Sequence, residues 1–341
     1  MAGQMRVADA HNDLLCAVLY QRERGMDDPF GDFWLPRLRA GGVAVQFLPV
    51  FTEDQHLGEG ALRRALLMLE EARNIASVHS ADVAVVETSR HLADALAAGK
   101  IALVLAVEGS EPIGHSLGVL ETLWRLGVRC MSLTWNRRTM MADGVGETAT
   151  GGGLTALGVD AVAEMERLGM IVDVSHLSDP GVDHVCRIAA RPFVATHSSC
   201  HALHPHPRNL TDAQLRAIGE AGGVVGINSF GAFLAAEHPS LGDFATHIDH
   251  ALEIAGAESV GLGCDFMDDL LRIIDPILGG GLVDTQNLPT IDKMRDPSDL
   301  KEFTGLLEAR LGAEVARLVA GENWIDFLGR ALPPGTDESV G

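Results

Sequence analysis

The sequence predicts an α/β fold, a (β/α)8 TIM barrel. Three observations predict it. Eight β-type runs recur along the 341 residues, with helix-like stretches between most of them. Several of the runs are nearly all apolar, as strands buried on both faces are. No GxGxxG follows the first run, which argues against a doubly wound dinucleotide-binding sheet.

The elements follow in order. MRVADA (5–10) opens the series and leads into a polar HND. VAVQFLPV (43–50) comes next, then a helix over 58–79. IALVLAV (101–107) precedes a helix over 116–127, and VRCMSLT (128–134) is separated by a long loop from a helix over 155–169. MIVDVS (170–175) leads to a helix over 178–190, with Ser178 as N-cap and Pro180 just inside it. PFVAT (192–196) precedes a helix over 211–222 that opens on Thr211-Asp212. GVVGIN (223–228) precedes one over 243–256, and SVGLGC (259–264) is the eighth run. Gly169, Gly222 and Gly256 fit helix ends. Helical runs near 297–311 and 313–330 predict a C-terminal helical extension, residues 291–332, on a single domain spanning 1–341. Repeats, low-complexity tracts and linkers are absent from the sequence. Two connections, 136–153 and 266–290, are too long for simple turns and predict functional lids at the C-terminal face of the barrel.

Composition bounds the function. With 47% hydrophobic and 21% charged residues the chain is of ordinary globular type. Its formal net charge of -21 repels phosphate backbones and anionic lipid, so neither nucleic acid nor a membrane is an expected partner. The apolar runs fall short of the roughly 18 residues a membrane helix needs. Five scattered cysteines without a CxxC suit reduced thiols. With no apolar signal region at the N-terminus, they point to a cytoplasmic protein.

The polar residues that matter fall where strands end. His11 and Asp13 follow the first run, and on a strand residues two apart share a face. Glu108 follows seven apolar residues, His176 ends DVSH, His197 lies in ATHSSC, and Asp265 follows SVGLGC. Any one of them has an ordinary explanation, such as a solvated loop residue, an N-cap or a satisfied core imidazole. Six ligand-type side chains at five strand ends of a barrel would all face one mouth, where barrel active sites sit. Three histidines and three carboxylates exceed what one closed zinc site uses. They suit two metals about 3.5–4 Å apart that share a carboxylate and a hydroxide. Glu108 is the natural bridge, and Asp265 remains to take and return a proton.

The motifs DAHNDL (9–14), VEG (107–109), LTWN (133–136), ADG (142–144), DVSH (173–176), THSS (196–199), HPRNLTD (206–212), GLGCDF (261–266) and GENW (321–324) span nearly the whole chain. In this set and order the sequence resembles the membrane dipeptidase (renal dipeptidase-like, M19) family of zinc metallopeptidases. The resemblance implies a metal-dependent amidohydrolase-type barrel with two zinc ions per chain. His11 and Asp13 would bind one zinc, His176 and His197 the other, with Glu108 bridging. Asp265 matches the family's acid/base carboxylate. Arg208 matches the arginine that binds the dipeptide's C-terminal carboxylate, a task suited to a planar, always-charged guanidinium. Trp135 and Asn136 would line the substrate pocket. Trp135 stands where mammalian members have a histidine that steadies the tetrahedral intermediate, and an indole offers only one N–H donor.

The expected activity is hydrolysis of short dipeptides, L,D-dipeptides included. An alternative is a related barrel hydrolase acting on N-acyl amino acids, lactones or β-lactams. A metal-binding barrel without turnover is a second alternative, which Asp265 and Arg208 argue against. A homodimer is compatible with the sequence.

Overall fold

In the computed structural model, which describes residues 5–273 and 290–335, eight parallel strands form one curled sheet. They are β1 (Val7–Asp9), β2 (Val43–Phe51), β3 (Val83–Val85), β4 (Ile101–Glu108), β5 (Cys130–Ser132), β6 (Ile171–Asp173), β7 (Val225–Ile227) and β8 (Val260–Leu262). Their order is β6-β5-β4-β2-β1-β8-β7, with β3 on the first half of β4 and β5 on its second half. Helices connect the strands: Gly60–Val78 packs on β2 and β3, Ala156–Leu168 on β6, and Leu241–Ala255 on β7 and β8.

Residues 192–196 depart from expectation. They form no strand, but Val194 bridges Asp173 and Ala195 bridges Val225, both in parallel sense. Hydrogen bonds from Val174 N to Val194 O (2.8 Å) and from Gly226 N to Ala195 O (2.8 Å) thus link the two ends of the sheet order. The Thr196 carbonyl lies 2.1 Å and 1.8 Å from where a Cβ on Gly226 or Gly263 would stand, so only glycine fits at either position.

β4 shows how the sheet aims the site. Ile101, Leu103, Leu105 and Val107 join the large core cluster that includes the flanking helices, while Ala102, Val104 and Ala106 join a second cluster with Ala8, Val45, Phe47 and Trp324. With side chains alternating at period two, Glu108 shares the face of Ala102, Val104 and Ala106. Those small residues leave room for a carboxylate at the strand's end. At the opposite end, Trp324 donates its indole N–H to Leu262 O (3.0 Å), and Asn323 Nδ2 reaches Ala257 O and Val260 O (both 2.7 Å). The GENW motif therefore anchors the C-terminal helix, Asn323–Ala331, beneath the sheet.

Other elements differ in detail. Helices Leu14–Glu23, Leu35–Gly41 and Ser89–Ala97 and strand β3 add to the expected set. The run 313–330 divides into Ala313–Arg317, a π-helical turn Leu318–Glu322 and Asn323–Ala331. The connection 136–153 is ordered by a 3-10 turn (Val145–Thr150), an Arg138–Asp143 ion pair and a bridge from Gly144 to Leu177. Of the second expected lid, helix Asp268–Ile273 is described and residues 274–289 lie outside the described residues. No described helix is long and apolar enough to cross a membrane, and the five cysteines form no disulfide.

Candidate metal centre

The site begins with two aspartates that end strands. Asp9 closes β1, and its Oδ1 accepts from the amides of His11 (3.4 Å) and Cys264 (2.8 Å). Asp173 closes β6, and its Oδ1 accepts from the amides of Ser175 (2.9 Å) and Thr196 (3.0 Å). Each folds the chain back just past its strand, so the next residues turn into the interior. His11 and Asp13 therefore lie beyond β1 rather than on it, which corrects the expectation of a shared strand face. Their convergence comes from the turn into helix Leu14–Glu23, and His11 Nε2 stands 3.7 Å from Asp13 Oδ2.

Glu108 turns one oxygen to each side. Its Oε2 is 3.8 Å from His11 Nε2, and its Oε1 is 2.8 Å from His176 Nε2 and 3.5 Å from His197 Nε2. The two histidine Nε2 atoms are 2.8 Å apart. Asp265 completes the other side: ligand atoms of His11, Asp13 and Asp265 lie within 4.8 Å of one another, as do those of His11, Glu108 and His197. Both His176 (φ 68°) and Asp265 (φ 54°) take left-handed backbone conformations, a cost that non-glycine residues bear mostly at functional sites. Asp265 is tied down by its amide to His11 O (3.0 Å) and by Asn228 Nδ2 to its Oδ2 (3.0 Å).

The hydrogen bonds assign the imidazole tautomers. Thr196 Oγ1 lies 2.5 Å from Asp173 Oδ2, so its only proton goes there, and it accepts from His197 Nδ1 (2.9 Å). Asn136 Oδ1 accepts from His176 Nδ1 (2.8 Å). Both Nε2 atoms are thereby left as bare lone pairs facing each other beside a carboxylate oxygen. Burial also holds both imidazoles well below the usual histidine range, with the charges of Arg208 and His11 adding to it. Nitrogen lone pairs and carboxylate oxygens converging without a proton between them suit a divalent cation. Asp13 Oδ1, buried and without a hydrogen-bond partner, is a further donor of this kind.

Electrostatics agree. Burial pushes Glu108 well above the ordinary carboxylate range, against the opposing pull of His11. Burial depresses His11, yet Glu108, Asp13 and Asp265 around it raise it to about 10. Burial also raises Asp265, although His11 and Arg208 oppose it. Three carboxylates that raise a buried imidazole this far favour a cation among them.

A cavity of about 420 Å³ opens over the cluster. Arg208 is buried at its edge, with Nη2 donating to His197 O (2.9 Å), and its Nε has no hydrogen-bond partner. Trp135 lies on the wall beside His176, with ring centroids 6.0 Å apart. Asn136 lines the cavity too, while its amide oxygen is engaged with His176. Seven of the nine site residues expected from sequence, Asp13, Glu108, Trp135, Asn136, His176, Arg208 and Asp265, line this cavity, while His11 and His197 do not line it but stand 3.8 Å and 3.5 Å from Glu108. The supporting residues Asp9, Asp173, Thr196 and Asn228 were not singled out. A shared signal does exist for two of them, an aspartate two residues ahead of the inward turn in both DAH and DVS.

A curled parallel sheet with this buried histidine–carboxylate cluster at its C-terminal ends defines a metal-dependent hydrolase. A family model described as membrane dipeptidase (peptidase family M19) matches residues 1–325. Dipeptidase verJ of Clonostachys rogersoniana is 33% identical over 315 residues, covering 85% of this chain and 81% of that protein. The uncharacterized dipeptidase C965.12 of Schizosaccharomyces pombe is 32% identical over 289 residues, covering 76% of this chain and 68% of that one. Among solved structures, dipeptidase AC, a metallopeptidase of family M19, aligns with a TM-score of 0.84 at 29% identity, covering 97% of this chain and 99% of the other. A Rhodobacter sphaeroides metallopeptidase liganded with a phosphinate mimic of the dipeptide L-Ala-D-Ala aligns with a TM-score of 0.83 at 28% identity, covering 96% and 100%. The chain belongs to the membrane dipeptidase family, peptidase family M19, and is a metallodipeptidase.

Proposed function

We propose that the protein hydrolyses dipeptides, L,D-dipeptides included, at a pair of zinc ions. His11 and Asp13 would hold one ion, His176 and His197 the other, with Glu108 shared. The observation that carries this is Glu108, whose two oxygens face His11 on one side and the His176–His197 pair on the other. Nitrogen and carboxylate donors in this mixture suit zinc. A bound pair of such ions lowers the pKa of water and polarises a carbonyl.

The chain's own residues do the rest. Arg208, buried with a free Nε, binds the substrate's terminal carboxylate and fixes its register over the cluster. Asp265 accepts a proton at its carboxylate and returns it to the departing amine. Its Oδ2 is oriented for this by Asn228. Asn136 holds the His176 tautomer, so its role is positioning rather than direct substrate contact. Trp135 forms a wall of the substrate pocket.

The sheet is read as a closed (β/α)8 barrel, one domain with a C-terminal helical extension. The bridges made by Val194 and Ala195 support this. A cytoplasmic location is supported by five cysteines that form no disulfide. The phosphinate mimic in the Rhodobacter sphaeroides relative supports extending the stereochemical range to L,D substrates.

The test is a dipeptide panel with L,L and L,D members, assayed on metal-stripped and zinc-restored protein. Zinc-dependent cleavage of dipeptides, with N-acyl amino acids, lactones and β-lactams turned over more slowly, is the expected result. Faster turnover of those other classes would replace the dipeptide assignment.

A further inference from the structure

Two aromatic walls bound the cavity, and they share no residue. Trp135 lies beside Phe51 (ring centroids 5.3 Å) and His176 (6.0 Å). Phe233 lies among Phe230 (5.2 Å), His206 (4.8 Å) and the guanidinium of Arg208 (5.5 Å). We propose that the Phe233 wall receives the side chain of the residue bearing the free carboxylate and selects an apolar or aromatic side chain there. The proposal rests on the reading of Arg208 as the carboxylate clamp.

Covalent geometry supplies the first step. A carboxylate carbon and the Cβ of the same amino acid are only about 2.5 Å apart. A carboxylate held by Arg208 therefore places its own side chain among the groups that border Arg208, of which the Phe233 ring, 5.5 Å from the guanidinium, offers the aromatic surface. Phe233 is half-buried and faces the cavity.

Charge supplies the second. Among the described residues, the carboxylates lining the cavity are Asp13, Glu108 and Asp265, all in the metal cluster. Among the described residues the Phe233 wall has none, so a substrate lysine or arginine placed there would lose hydration without gaining a partner from them. His206 adds no charge. Its Nδ1 accepts the Arg208 amide (3.1 Å), and burial with the nearby charges of Arg208 and His204 holds it down at about 4. An acidic side chain would compete with the substrate's own carboxylate for Arg208. What the wall stabilises without penalty is apolar area.

Phe233 is placed by its backbone, since it ends a short 3-10 turn (Gly231–Phe233) and its carbonyl accepts from Asn209 Nδ2 (2.7 Å). Truncating the side chain leaves that support in place.

The experiment is calorimetric binding of Ala-Gly, Ala-Leu, Ala-Phe and Ala-Lys to zinc-loaded protein carrying Asp265→Asn, which suppresses turnover. Ala-Leu and Ala-Phe should bind about tenfold more tightly than Ala-Gly, and Ala-Lys no more tightly than Ala-Gly. Adding Phe233→Ala should shrink the Ala-Phe advantage to about twofold with Ala-Gly little changed, and Phe233→Leu should keep most of it. An undiminished advantage in Phe233→Ala, Ala-Lys binding as tightly as Ala-Leu, or no binding of any of the four overturns the proposal. Failure of the dipeptidase reading has a separate signature: zinc-loaded wild-type protein would leave all four dipeptides intact even where the binding order holds.

Discussion

His176 and His197 present their Nε2 atoms to each other across 2.8 Å, each held from behind at Nδ1 by a different acceptor, Asn136 Oδ1 and Thr196 Oγ1. Two nitrogen lone pairs at that separation repel unless a proton or a cation lies near both. The supporting bonds direct the protons to the far nitrogens, so the pair is arranged for a cation.

Asn136 is the more exposed of the two supports. Asn136→Ala should weaken metal binding by about 10–100-fold while leaving the protein folded. Competition with a chromophoric chelator measures this directly. Unchanged affinity, with only KM altered, would return Asn136 to the role of a substrate contact.

Arg208→Met should raise KM for dipeptides and abolish the preference for a free C-terminal carboxylate over its amide. The lost charge-assisted hydrogen bonds should cost about 2–3 kcal/mol in binding. Measuring each substrate as acid and as amide separates this loss from a general one. A variant that keeps the wild-type preference would show that the clamp lies elsewhere.

Asp265→Asn retains the size of the side chain and removes the base. It should keep most of its metal and lose about 10²–10⁴-fold in kcat. Metal content and turnover are to be read on the same preparation, because Asp265 stands close enough to His11 and Asp13 to serve as a ligand. Parallel loss of both would make it one.

His206 gives a pH signature. Its folded-state value of about 4 lies below the ordinary 6.5, through burial first and the charges of Arg208 and His204 second. The unfolded chain therefore binds the extra proton between those values, and stability is lost as pH falls from about 6.5 towards 4. His206→Gln lacks this loss. The difference in Tm between wild type and variant should narrow from pH 7 to pH 5, and a constant difference would mean that His206 is not held neutral.

Much of this was legible in the sequence because the ligands directly follow strands whose apolar runs are long or sharply bounded. Glu108 after IALVLAV is the clearest case, since the alternation of β4 sets its direction. The helix Leu14–Glu23 was not legible: its first six residues are all buried, so no polar face marks a helical period. β3 was missed: its apolar run, VAVV (83–86), is four residues long, at the lower limit for a strand. PFVAT reads as a strand, and Val194 and Ala195 do hydrogen-bond to the flanking strands, but each makes only a one-residue bridge, to a different neighbour. Asn228 and Thr196 act through buried hydrogen bonds, to the acid/base candidate and to a ligand respectively; Thr196 lies in the THSS motif beside His197, but the sequence does not show which bonds either one makes.

The central claim is a two-metal centre divided by Glu108, and metal reconstitution tests it most directly. Metal-stripped protein is titrated with zinc while bound metal and dipeptide hydrolysis are followed together. The account predicts that about two equivalents bind and that activity rises until the second site fills. Full activity at one equivalent, with no further binding near the His176–His197 pair, would contradict it.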